Sequence, residues 1–127
     1  MSDIRNFDGN EDPFLLWINV LFNKAKSYYN KEDFDGAMFC YKNILNFKYN
    51  IPSEYVFDAY FDLGCTYINQ KDINGMIECF EEAKEILNIS KINVSKNTIE
   101  FIEGNLVHFK TLMACKKIEE KSNEINI

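Results

Sequence analysis

The sequence predicts an all-α fold: antiparallel helix pairs stacked as a short solenoid, with a C-terminal capping helix. Three observations carry this expectation. Apolar residues recur at helical spacing in five segments. No segment shows the alternation of a strand. Small and aromatic residues also recur in one register across the first two helix pairs, 39 residues apart. A length of 127 residues is that of one domain, and 46% apolar residues supply a core. The longest apolar run, Phe14 to Ile18, falls far short of the roughly 20 residues of a membrane span. No cationic stretch leading into an apolar one opens the chain. Membrane and secreted readings are therefore set aside.

Residues 1–12 are polar and acidic without periodicity and are expected to be a flexible terminus. Asp12-Pro13 has the form of an N-cap followed by proline at the first helical position. Leu16, Val20, Leu21, Ala25 and Tyr28 then mark a helix to about residue 30. Asp33 can cap a second helix carrying Phe34, Ala37, Met38, Tyr41, Ile44 and Leu45, which Pro52 and its neighbours end. A third helix opens at Ser53-Glu54 and passes through Tyr60, Leu63, Gly64 and Tyr67. A fourth starts near Asp72 and carries Ile73, Met76, Ile77, Phe80, Ala83 and Leu87. Asn88 to Lys96 is polar and expected to be a loop. Asn97 and Glu100 have capping-box spacing for a last helix, which presents Ile99, Ile102, Leu106, Phe109 and Met113. Its charged end, Lys116 to Lys121, is expected to fray, with 123–127 a tail.

The first helix pair aligns on the second. Ala25 lies above Gly64, Tyr28 above Tyr67, Ala37 above Met76, Tyr41 above Phe80 and Ile44 above Ala83. Leu21 above Tyr60 and Phe34 above Ile73 continue the register. These residues resemble the tetratricopeptide repeat (TPR), a helix–turn–helix unit with a small residue, an aromatic and a late alanine at set spacings. Lys24, where leucine is usual, and Met76, where a small residue is usual, depart from the pattern. So does the period, 39 against about 34, which makes this a variant with lengthened linkers. Repeat one is placed at 13–50, repeat two at 53–90, and a partial third unit or capping helix at 97–122. Gly104 and Phe101 stand 40 residues after Gly64 and Phe61.

The resemblance implies a protein–protein interaction module, an adaptor or small scaffold subunit of a multiprotein complex. In this family the first helix of each unit lines a concave groove that holds a partner's peptide or helix. The candidates here are Asn19, Phe22, Asn23, Lys26 and Tyr29 on the first unit, and Asp58, Phe61, Asp62 and Cys65 on the second. Phe22 and Phe61 are expected side by side as an apolar floor. Asp58 and Asp62 would suit basic residues of the ligand. The alternative is a structural subunit docking by its convex face or capping helix, with both phenylalanines packed under that helix. A weaker one is a heat-shock chaperone adaptor. For that, Asp62 stands where asparagine should be, Arg5 is the only arginine, and two aspartates would repel a carboxylate tail.

Charge and chemistry narrow the rest. Twenty acids against fourteen bases give a net charge of -6, which opposes nucleic-acid binding. Residues 51–90 hold eight acids and two lysines, the whole of that excess. Glu78, Glu81, Glu82 and Glu85 are expected to form a solvated helix face. Cys40, Cys65, Cys79 and Cys115 have no metal or redox spacing and are expected as buried thiols of a reducing compartment. This places the chain in the cytoplasm, with the nucleus left open. The lone His108, beside Phe109, is expected to pack rather than to act as a base. No nucleophile elbow, phosphate loop or paired-histidine motif is present, so neither catalysis nor a cofactor or metal is expected.

Overall fold

In the computed structural model, residues 12–125 are described. The elements are α1 (Pro13–Asn30), α2 (Phe34–Leu45), α3 (Ser53–Asn69), α4 (Ile73–Ile89) and α5 (Lys96–Ile125). Among the described residues there is no strand. The flexible terminus expected at 1–12 falls, except for Asp12, outside the described residues, as do residues 126 and 127 of the tail.

Side-chain caps set the starts of α1, α2 and α4, whereas α3 opens after Pro52 without one. The Asp12 carboxylate accepts from the Phe14 amide at 2.9 Å, and Pro13 opens α1. Asp33 caps α2 by accepting from the Gly36 amide at 3.0 Å, and Asp72 caps α4 by accepting from the Gly75 amide at 2.9 Å. The turns before these caps are duplicates. Glu32 and Lys71 adopt φ of 61° and 59°, and the Asp33 and Asp72 amides donate to the Tyr28 and Tyr67 carbonyls, both at 2.9 Å. Gly36 and Gly75 are required by the same geometry. A Cβ on Gly36 would sit 2.8 Å from the Tyr28 ring, and one on Gly75 2.7 Å from the Tyr67 ring. The 39-residue register is thus also a repeated hairpin turn.

The sequence expectation is corrected at α5. Its cap is Ser95, whose hydroxyl accepts from the Thr98 amide at 3.2 Å, rather than Asn97 with Glu100. The preceding loop shortens to 90–95, because α4 runs through Ile89. The helix does not fray at Lys116 but continues to Ile125. Lys116 and Glu120 lie four residues apart and Lys121 and Glu124 three, a spacing that supports an exposed helix.

The chain divides into two compact units after Ile92. In the first, α1 packs on α2, α2 on α3 and α3 on α4. Its core gathers Ile18, Phe22, Ala25, Ala37, Tyr41, Ile44, Tyr55, Ala59 and Leu63. Met76, Phe80 and Ala83 of α4 are fully buried as well. Gly64 is where the Phe80 ring lies on α3, and a Cβ there would overlap that ring. In the second unit, Ile102 and Leu106 of α5 are buried. The thiols divide, correcting the expectation that they are all buried. Cys40 and Cys79 are buried, Cys65 is half-buried and Cys115 is exposed.

Candidate interaction groove

A cavity of about 270 Å³ opens between α1 and α3. Phe22, Lys26, Tyr29 and Asn30 come to it from α1, Tyr41 from α2, and Asp62 and Cys65 from α3. Helical spacing explains the set. Phe22, Lys26 and Tyr29 are separated by four and three residues, as Asp62 and Cys65 are by three, so each group shares one helix face. Five of the nine candidate residues named above therefore converge. Asn19, Asn23, Asp58 and Phe61 lie outside this lining.

The two phenylalanines do not play the same part, although they share a register. Phe22 is only 2% exposed, edge-on to Tyr41 and to Tyr55 with centroids 6.3 Å apart in each case. It closes the floor of the cavity as a core residue. Phe61 is half-buried in a stack, 6.3 Å from Phe57 and 5.8 Å from Phe80. An open floor with both rings side by side is thus replaced by one buried ring and one stacked ring. The cause is Tyr55, near the start of α3, which with Tyr41 encloses Phe22.

Two polar features order the cavity. The Tyr29 hydroxyl accepts from the Asn69 side-chain amide at 2.6 Å, and that amide also donates to the Cys65 carbonyl at 3.1 Å. α1 and α3 are pinned together at this end. Residue composition did not flag Asn69 or Asn30, yet the two stand at equivalent places in the register, each three residues before a capping aspartate. Lys26 and Asp62 supply a base and an acid to the cavity lining. Burial pushes the Cys65 thiol up to about 12, with Asp62 and then Cys79 adding to the shift. At neutral pH Cys65 is therefore a neutral, weakly nucleophilic wall of the cavity.

A second cavity of about 280 Å³ is lined by Tyr60, Tyr67, Gly75, Glu78, Cys79 and Glu82. Its tyrosines already hold cations of this chain. Lys42 lies 5.7 Å from the Tyr67 ring centre and Lys48 5.9 Å from that of Tyr60. Lys48 also donates to the Tyr60 hydroxyl at 3.3 Å, which raises its pKa. A basic ligand here would have to displace both lysines. Among the described residues, no group of three or more His, Cys, Asp or Glu is placed to hold a metal. No described helix is long and apolar enough to cross a membrane.

Among known families, a model for the tetratricopeptide repeat matches residues 18–50 and 57–86. Comparison with curated proteins gives no match, and comparison with solved structures gives none.

Proposed function

The chain carries two tetratricopeptide repeats and belongs to that family, and from this we propose that it receives a peptide or helix of another protein in the groove between α1 and α3. Repeats of this kind are generally protein–protein interaction modules, and their work is not catalytic. The observation that carries the finer reading is the cavity lined by Phe22, Tyr29, Tyr41, Lys26 and Asp62. Its size, about 270 Å³, is below the roughly 300–1,000 Å³ of small-molecule sites. It suits one anchoring side chain of a larger ligand. The aromatic walls favour an apolar or aromatic anchor, and Asp62, one turn from Asp58, favours a base flanking it. An adaptor or small scaffold subunit works in this way. An acidic C-terminal tail of a chaperone would meet Asp62 in the lining and is disfavoured.

A display selection of random peptides and helices against the whole chain tests this. Selected ligands should carry an aromatic or large apolar anchor beside lysine or arginine. Asp62→Lys should weaken them at least tenfold while far-UV circular dichroism stays unchanged. Ligands that bind Asp62→Lys and Tyr29→Ala as tightly as the parent chain would show that the groove is not their site. Docking through the C-terminal helix is the second reading, favoured by the exposed Val107, Leu112 and Ile118 of α5.

A further inference from the structure

We propose that α5 is a self-association helix, on which a second copy of this chain lays its own α5 antiparallel. The idea deepens the second reading above and is independent of the groove. α5 carries apolar residues on two opposite sides. Ile102 and Leu106 are buried. Leu106 and Cys115 are nine residues apart, two and a half turns, and so face opposite ways. On that other side stand Phe101, Gly104, His108, Thr111, Cys115 and Ile118, alternately three and four residues apart. This is the rhythm of a helix–helix seam. Val107 and Leu112 flank it, 68% and 50% exposed, and Ile118 is 66% exposed.

Gly104 is the second observation. Forty residues earlier, Gly64 is the notch into which α4 lays the Phe80 ring. A Cβ on Gly104 would meet nothing within 4 Å. The notch that receives a neighbouring helix in α3 is present in α5 and open.

The seam is complementary to a second, reversed copy of itself. Reversing one helix brings together seam positions equally far from the two-fold axis. With that axis between Phe109 and Lys110, Phe101 shares a layer with the second copy's Ile118. Gly104 shares one with the second copy's Cys115, and His108 with the second copy's Thr111. Large meets large, small meets small and polar meets polar. Charge favours the same orientation. Residues 97–106 hold Glu100 and Glu103 and no base, a net of -2. They come level with 113–122 of the second copy, where Lys116, Lys117 and Lys121 against Glu119 and Glu120 give +1. A parallel pairing would set -2 against -2 and glycine against glycine, leaving a void. A two-fold pairing of identical surfaces is also the commonest form of self-association.

Sedimentation velocity on the full chain, from micromolar to several hundred micromolar, should show a concentration-dependent monomer–dimer equilibrium. Val107→Glu with Leu112→Glu should weaken it at least tenfold while circular dichroism is unchanged, since both side chains are exposed. Orientation is read by crosslinking. A disulfide needs Cα atoms about 4.4–6.8 Å apart, which adjoining layer partners reach. Oxidised Gly104→Cys should give a covalent dimer, mapped by mass spectrometry to a link between positions 104 and 115 and abolished by Cys115→Ser. A chain that stays monomeric over the whole range overturns the proposal. So does a dimer indifferent to the double glutamate variant, or a Cys115–Cys115 link in the unaltered chain, which would mean parallel helices.

Discussion

In the first hairpin Ala25 and Ala37 are both fully buried, with the Tyr41 ring nearby in the core. At the matching places of the second stand Gly64, Met76 and Phe80, all buried. One hairpin uses two small residues. The other removes a methyl from its first helix and adds a long thioether to its second. Gly64 admits the Phe80 ring against α3, and methionine is the side chain best able to fill an irregular gap. A register can thus persist while the volumes within it are redistributed, and each position must be judged with its partners. At Gly104, forty residues after Gly64, a Cβ would meet nothing within 4 Å.

Substitutions that exchange the two solutions should break this comparison in a graded way. Met76→Ala restores the residue of repeat one, yet it should destabilise by about 2–5 kcal/mol, because Met76 is fully buried and a cavity would remain. A urea denaturation midpoint unchanged by that substitution would show that the α4 core is not committed to the larger side chain. Gly64→Ala, again a reversion to repeat one, should cost about 1–3 kcal/mol through overpacking against the fully buried Phe80. A neutral result would mean that the ring can move. Gly104→Ala should act in the opposite sense, raising stability by up to about 1 kcal/mol, since alanine is the better helix former and the space is open. Thermal melts of the three variants test the ordering.

The smallest effect at neutral pH concerns the thiols. Burial pushes Cys79 up to about 12, with Glu78 adding and Lys42 opposing, as it does Cys65. The folded state then holds these protons more tightly than the unfolded chain, whose thiols keep an ordinary value near 9.0. Their stabilising contribution is full below pH 9 and is lost as the pH rises toward about 12. Unfolding free energy followed from pH 8 to 11 should fall, and the fall should be shallower in Cys65→Ala and Cys79→Ala. Equal slopes in parent and variants would show that neither thiol is linked to folding.

Helix starts were legible where a side chain and its acceptor role lie within three residues of each other, as with Asp12 and Asp33, and the start of α4 was legible near Asp72. The cap of α5 was not, because Ser95, Asn97 and Thr98 are all able acceptors, and periodicity cannot choose among neighbours. The duplicated Asp-x-x-Gly at 33–36 and 72–75 was present in the register, but its meaning depends on a tyrosine ring from the preceding helix. Of the nine candidate groove residues read as faces of α1 and α3, five line the cavity, and Asn19, Asn23, Asp58 and Phe61 do not. That Phe22 is floor while Tyr29 is wall follows only once Tyr41 and Tyr55 are in place.

By itself the sequence determined the helices, the caps at Asp12 and Asp33, and the repeated register of small and aromatic residues that marks the family. These rest on contacts a few residues long and on periodicity, both of which a linear chain displays. The tertiary structure decided which member of each equivalent pair is core and which is surface. It buried Phe22 and left Phe61 stacked and half-open, and it filled the notch at Gly64 while leaving that at Gly104 empty. Burial is a property of what packs from elsewhere in the chain, and identical register positions receive different neighbours at different places along a short solenoid.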